Sequence, residues 1–496
     1  MTAAAERHGN HIGGGSVEAG GAVFESLNPA RRDEVIGVFP RSGAAEVDAA
    51  VAAARAAQAA WRATPWPARG EIILRAGLLL EERKEEMARL MTREMGKVLV
   101  EARGDVQEGV DMAKFIAGEA RRPFGETVPS ELRDKWAMTM RQPLGVVAII
   151  TPWNFPVAIP TWKLFPAVLA GNTVVFKPAE DTPLCALRLV EILEEAGLPA
   201  GVVNIVFGLG PEAGEALVRH PGVAAVSFTG SVPTGRHIAE LCGGMLKRCS
   251  LELGGKNAIV VMDDADVELA VDGALWGAFG TSGQRCTASS RLIVHRRRLA
   301  DFTDALVDRA SRLRLGDGLV DGVDVGPVIN PRQLERIHGY TEVGLGEGAR
   351  LLLGGEVARE DELARGCFYR PTVFADVAPG MRIAQEEIFG PTTAVIPVDS
   401  LDEALEVANG TGYGLSLSLY TTDLRTGFRA INELEAGIVY VNAPTIGAEI
   451  QLPFGGIKNT GNGHREAGTV ALDQFSEWKS IYVDYSGRLQ RAQIDT

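Results

Sequence analysis

Cysteine is scarce in this chain: five in 496 residues, at 185, 242, 249, 286 and 367. The odd number and the wide, irregular spacing exclude a disulfide framework and a zinc-type ligand set, and they point to a reducing compartment, the cytoplasm. Positive charge is also in deficit, with 50 Lys and Arg against 64 Asp and Glu and a formal charge of −14. The basic cluster His295-Arg296-Arg297-Arg298 is too short for a nucleic-acid footprint, so no nucleic-acid partner is expected. Long apolar runs are missing as well. The run at 146–150 stops at Thr151-Pro152, far short of the roughly 20 residues of a membrane helix, and no membrane partner is expected. The first 16 residues are polar and Gly-rich, without the apolar core or basic start of a secretory signal. His8 and His11 within them read as disordered terminal histidines, and no metal site is expected.

What the chain does have is alternation. Its length predicts two or three domains. Residues 44–60 are Ala-rich and 68–97 carry Leu and Met on one face, which predicts helices. From residue 145, β-branched runs at 145–151, 172–177, 202–207 and 223–228 alternate with helical stretches, including 183–196 and one closing at 217–220. The pattern resumes after Glu252 with a strand at 257–261, a helix at 267–280 and a strand at 291–295, and a second α/β unit runs to about Gly447. Strand and helix at this spacing predict parallel sheets covered on both faces. Residues 131–143 and 479–485 alternate apolar and polar and read as lone strands suited to subunit contacts.

Against the sparse cysteine background one thiol stands out. Leu251-Glu252-Leu253-Gly254-Gly255-Lys256 is followed at 283–286 by Gly283-Gln284-Arg285-Cys286. A thiolate attacks a carbonyl and holds the acyl group; a nearby carboxylate then draws a proton from water, or helps the thiol lose its own. Asn154, between an aromatic and two prolines in Pro152-Trp153-Asn154-Phe155-Pro156, reads as a rigid amide donor to a developing oxyanion or as a loop cap. Lys177 and Glu180 follow the strand at 172–177, on the edge where parallel sheets bind ligands; they suit ribose hydroxyls, or form a surface ion pair. Gly230 and Ser231 open a helix after a strand, where free N–H groups meet a phosphate. Gly208-Leu209-Gly210 with Gly214 has the wrong spacing for a dinucleotide fingerprint and reads as a turn with one close approach to a ligand. Glu387 and Phe389, in Gln385-Glu386-Glu387-Ile388-Phe389-Gly390-Pro391, suit a ribose and a flat ring.

In this order, Asn154, Lys177, Gly230-Ser231, Glu252, Cys286 and Glu387-Phe389, with their neighbours, resemble the NAD(P)-dependent aldehyde dehydrogenase superfamily over about residues 24–485. The resemblance implies an α/β fold of three parts. A Rossmann-like parallel-sheet cofactor domain would take 1–125 and 144–253, an α/β catalytic domain 254–455, and a small β oligomerisation element 126–143 and 474–496, giving homodimers or homotetramers. It implies that Cys286 captures a small-molecule aldehyde as a thiohemiacetal whose oxyanion meets Asn154 and the Cys286 N–H. A hydride then passes to the cofactor, and Glu252 activates the water that hydrolyses the thioester.

Cofactor contacts would come from Trp153, Lys177, Glu180, Gly210, Gly230, Ser231, Gly254, Glu387 and Phe389. NAD is preferred, with NADP second, because Glu180 disfavours a 2′-phosphate. Trp162, Arg285, Thr287, Ala448 and Phe454 would line the substrate tunnel. Arg285 would meet an anionic substrate or pair within its own loop. Segments 94–111 and 444–450 look most like the α-aminoadipic semialdehyde branch, and the small Ala448 leaves room for a polar chain. The other four cysteines are expected to be buried packing residues. Two alternatives are a CoA-acylating enzyme, a branch that lacks the carboxylate at the Glu252 position, and a non-catalytic protein keeping the fold. A cysteine hydrolase without cofactor would leave Lys177, Glu180 and Glu387 unexplained.

Overall fold

Two seven-stranded sheets organise the computed structural model, which describes residues 6–18, 20–122 and 125–494. Residues 1–5 of the N-terminal stretch and 495–496 of the C-terminal tail read above lie outside the described residues. Val146–Ile150, Thr173–Lys177 and Asn257–Val261 are buried at every position, as strands covered on both faces must be. The first sheet runs Arg248–Glu252, Ala225–Thr229, Val146–Ile150, Thr173–Lys177 and Val203–Ile205, all parallel. Its far edge is an antiparallel hairpin, Asn10–Ile12 with Gly15–Val17.

That hairpin corrects the expectation of disordered terminal histidines. Asn10 is fully buried; its side chain accepts the Phe207 N–H at 2.8 Å and bonds Ser42, which fixes the segment on the sheet. His11 Nε2 then lies 2.8 Å from Glu194, and His8 stacks on Phe39. The strand Arg248–Glu252 was also not anticipated, because its first three residues, Arg-Cys-Ser, carry no apolar run.

The second sheet runs Arg350–Leu353, Thr372–Ala375, Thr392–Val398, Ser289–His295, Asn257–Val261, Ser416–Tyr420 and Ile438–Val441, parallel except for the antiparallel Arg350–Leu353 edge. The segments read as lone strands are not lone. Ser476–Asp484 pairs antiparallel with Lys135–Pro143 from Ser476↔Pro143 to Asp484↔Lys135, and Thr127–Pro129 adds a third strand. Backbone pairing between distant segments is invisible to local periodicity.

Helices Trp66–Glu82 and Leu99–Glu119 approach closely because Gly70 and Gly77 face the β-carbons of Ala120 and Ala113. Leu99–Glu119 in turn packs on Ala158–Leu169. Asp105 locks that contact: its carboxylate accepts the Ala158 N–H at 2.7 Å and the buried Lys97 ammonium at 2.8 Å. No helix among the described residues is long and apolar enough to cross a membrane.

Candidate active site

The helix Val267–Phe279 ends in a tight turn, Gly280–Gly283, that delivers Cys286. Thr281 and Ser282 take left-handed backbone angles, φ 53° and 56°, which side-chain-bearing residues adopt only when the surroundings impose them. Here they do. Glu101 accepts the Thr281 N–H at 2.8 Å, and the Ser282 hydroxyl donates to the Gly326 carbonyl at 2.7 Å. Gln284 points away from the thiol, accepting the Ile329 N–H at 2.9 Å and donating to the Thr281 carbonyl at 3.2 Å. Asn257 fixes the far side by donating to the Cys286 carbonyl at 2.7 Å.

Cys286 lies in a wall shared by two cavities, of about 100 and 120 Å³. The first also holds Glu252, Arg285, Trp162 and Phe454, with Thr287 and Ala448 beside them. The second holds Asn154, Gly230, Ser231, Glu387 and Phe389, with Trp153 and Gly254 beside them. The thiol is pushed up to about 12, by burial first and then by the Glu387 and Glu252 carboxylates; the N–H groups of Thr287 and Cys286 act the other way. A thiol so placed becomes nucleophilic only as its proton finds an acceptor.

Asn154 donates from Nδ2 to the Gln284 carbonyl at 3.0 Å, while its buried Oδ1 has no partner among the described residues. That one bond sets the amide's orientation and leaves the second N–H of Nδ2 unspent. Glu252 ends the strand Arg248–Glu252 and is 2% exposed. Neither of its oxygens has a partner among the described residues. Burial, then the Glu466 carboxylate, raises its pKa well above the usual range, against the opposing charges of Lys163 and Arg465. A carboxyl held in this state takes up a proton far more readily than a solvated one. Gly455 makes the close approach possible, because a Cβ there would sit 2.6 Å from Glu252 Oε1.

Towards the first sheet's C-terminal edge, Lys177 Nζ donates to the Pro178 carbonyl at 2.8 Å and lies 3.6 Å from the half-exposed Glu180. Gly210 opens a short wide turn, Gly210–Gly214, whose Gly214 faces the Lys177 side chain; neither lines the two cavities. Gly230 and Ser231 precede the helix Val232–Gly244, with the Ser231 and Thr234 hydroxyls 2.9 Å apart. Glu387 is half-buried, accepts the Gly255 N–H at 3.0 Å, and is raised in pKa chiefly by desolvation. A side chain at Gly254 would collide with that carboxylate. Phe389, at φ 63°, meets Trp153 edge-on at 5.4 Å.

At the other end, Trp162 and Phe454 meet edge-on at 4.9 Å. Arg285 donates from Nε to the Thr281 hydroxyl at 2.9 Å, reaches Glu101 at 3.4 Å, and lies over the Phe155 ring. Arg285 is thus tied to Thr281 in its own loop and to Glu101 on the helix Leu99–Glu119, and it lines the cavity.

Sequence reasoning passed over four groups here. Lys163 and Glu466 form a buried ion pair beside Glu252, and Lys163 also donates to Ser227 at 3.0 Å. A lysine inside the apolar helix Ala158–Leu169 was the available signal, since a buried ammonium demands a partner. Glu108 lines the cavity with Arg285, and Gln333 lines the one with Glu387. Of the remaining cysteines, 185, 242 and 367 are buried as expected, but Cys249 is half-buried, a free thiol hydrogen-bonded to the free thiol of Cys242. Among the described residues no group of three or more His, Cys, Asp or Glu could hold a metal ion.

A family model described as the aldehyde dehydrogenase family matches residues 17–481. The α-ketoglutaric semialdehyde dehydrogenase of Bacillus subtilis is 42% identical, over 96% of this chain and 97% of its own length. The 2,5-dioxopentanoate dehydrogenase of Saccharolobus solfataricus is 42% identical, over 94% of this chain and 97% of its own. Among solved structures, the NAD+ complex of an aldehyde dehydrogenase from Bacillus cereus superposes with a TM-score of 0.92 at 40% identity, covering 97% of each chain.

Proposed function

The chain belongs to the aldehyde dehydrogenase family, and from that premise we propose that it oxidises a carboxylate-bearing semialdehyde to the diacid with NAD. One observation carries the reading: Cys286 faces two cavities at once, one beside Arg285 and Glu252, the other beside Gly230, Ser231 and Glu387. The curated relatives named above act on α-ketoglutaric semialdehyde and 2,5-dioxopentanoate. The two names denote one molecule, an aldehyde with a remote carboxylate, the same class of group as the α-aminoadipic semialdehyde of the likeness read from the sequence.

The residues of the second cavity fit a nicotinamide dinucleotide. The helix Val232–Gly244 presents its N-terminal N–H groups, the natural seat of a pyrophosphate. Glu387 is kept at the cavity wall by the bare Gly254, and Gln333 Oε1 waits there without a partner among the described residues. Lys177 and Glu180 suit the adenosine ribose, and the Glu180 charge disfavours a 2′-phosphate. When bound, NAD accepts the hydride that converts the captured aldehyde to the acyl level.

The chain's own groups do the rest. The Cys286 thiol gives up its proton to solvent as its sulfur adds to the aldehyde carbon, and the spare Asn154 N–H with the Cys286 main-chain N–H receives the oxygen's negative charge. Once the acyl group is on sulfur, Glu252 removes a proton from water, which attacks the thioester and releases the acid. The Lys163–Glu466 pair holds charge beside Glu252 throughout. Glu252 also speaks against transfer to CoA and against a non-catalytic role. The sheet formed by Lys135–Pro143 and Ser476–Asp484 exposes Trp136 at 58% and Tyr482 at 67%, which supports a homodimer or homotetramer. Cysteine usage favours the cytoplasm.

A panel of aldehydes with NAD and NADP tests the reading. The highest kcat/KM is expected for a carboxylate-bearing semialdehyde with NAD; preference for neutral aldehydes of equal length would overturn it.

A further inference from the structure

Two thiols away from the active site lie in contact. Cys242 sits near the end of the helix Val232–Gly244 and is 1% exposed, while Cys249, on the strand Arg248–Glu252, is half-buried. Both are free, and the Cys249 S–H donates to the Cys242 sulfur. Neither lines the two cavities around Cys286. Their ionisation is divided. That hydrogen bond, with the Lys247 charge behind it, holds Cys242 below the ordinary thiol range against the effect of burial; the same bond, then burial, pushes Cys249 up. The pair therefore releases a first proton more readily than an isolated buried thiol and keeps the second between its sulfurs.

The two elements are not equally free to move. Cys249 is paired with Val226 in the sheet, and its carbonyl accepts the Asn462 side chain at 2.7 Å. In the turn between the thiols, Lys247 donates its N–H to the Cys242 carbonyl at 2.9 Å and its ammonium to the Val218 and His220 carbonyls at 2.6 Å. The other end of the helix lies so close to Leu253, the residue after Glu252, that Gly235 has no room for a Cβ. The helix thus rests at one end on Cys249 and at the other, just past Ser231, on Leu253.

We propose that Cys242 and Cys249 form a redox modification site, at which a hydroperoxide joins them as a disulfide and thereby weakens the hold on NAD. As the shared proton shifts to Cys242, the more open Cys249 sulfur attacks the O–O bond. It becomes a sulfenic acid, and the displaced hydroxide takes up a proton and leaves as water. The Cys242 sulfur then attacks the Cys249 sulfur, and its proton departs with the hydroxyl as a second water. Two thiols and one peroxide give one disulfide and two waters. In a reducing compartment such a bond is transient, and a dithiol restores both thiols. Bonded sulfurs lie about 2.05 Å apart, well inside hydrogen-bond contact. With Cys249 held by the sheet, the end of the helix has to move. A tilt about the Gly235–Leu253 contact carries Ser231 and the helix N-terminus out of line with a pyrophosphate. This last consequence rests on the reading that the helix seats the pyrophosphate; formation of the bond does not.

The test treats the full-length enzyme with hydrogen peroxide at neutral pH and maps its thiols by differential alkylation and mass spectrometry. NADH affinity is measured by fluorescence before treatment, after it, and after dithiothreitol. Wild type should form the Cys242–Cys249 disulfide, lose about tenfold in NADH affinity, and recover with dithiothreitol. Cys249→Ser should keep its affinity through the same treatment; if the serine variant does not fold, Cys242→Ala takes its place. Absence of the disulfide in treated wild type would overturn the proposal, and so would an affinity that stays constant once the disulfide has formed. An equal loss in Cys249→Ser would also overturn it, tracing the effect to another thiol such as Cys286. Untreated enzyme that binds no NADH would overturn the cofactor seat itself and not the dithiol, whose disulfide is read by mass.

Discussion

The Asn154 side chain donates to the main-chain carbonyl of Gln284 at 3.0 Å, two residues before the nucleophile. One amide thus ties the loop after Val146–Ile150 to the loop that carries Cys286, so the proposed oxyanion donor and the thiol are positioned as a unit. Asn154→Ala removes both the tie and the donor. The expected cost is roughly 100- to 1,000-fold in kcat, the range for loss of one oxyanion donor, with KM changed much less. Steady-state kinetics checks it; a loss of less than about fivefold would reduce Asn154 to a loop anchor.

Arg285 is expected to discriminate by charge. Arg285→Ala should lower kcat/KM for a carboxylate-bearing semialdehyde roughly 10- to 100-fold, the worth of hydrogen bonds to a charged group. A neutral aldehyde of equal length should lose little. Equal losses on the two substrates would mean that Arg285 serves only its ties to Thr281 and Glu101.

The free enzyme's thiol should be sluggish. Because burial and the Glu387 and Glu252 carboxylates push Cys286 up to about 12, the thiolate fraction grows with every step of pH across the accessible range. Alkylation by iodoacetamide, followed at Cys286 by mass spectrometry, should keep accelerating to pH 10. A plateau reached near pH 7 would show a thiol ionised by some arrangement other than the one described.

Much of this site was legible because its parts lie in unusual local strings. Asn154 sits among prolines, Glu252 before two glycines, and Cys286 after Gly-Gln; each combination is uncommon enough to draw notice by itself. Parallel strands such as Val146–Ile150 and Thr173–Lys177 were legible for a similar reason, since burial on both faces demands an unbroken β-branched run. What escaped depends on tertiary partners. Glu466 is an ordinary acidic residue in sequence and acquires meaning only through Lys163 across the fold. The N-terminal hairpin escaped because its order comes from Asn10 bonding to Ser42 and Phe207, not from hydrophobic pattern. Arg285 was legible as a loop ion pair or an anion contact; its ion pair runs instead to Glu101 on a distant helix, and it lines the cavity.

The division of labour between Cys286 and Glu252 is most directly tested by rapid mixing of Glu252→Gln with NAD and the semialdehyde. A buried glutamine fills the same space but cannot take a proton from water. The account predicts a burst of NADH close to one per active site, followed by almost no further turnover as the thioester accumulates on Cys286. Loss of the burst together with the turnover would contradict it, and would make Glu252 the base that first activates the thiol.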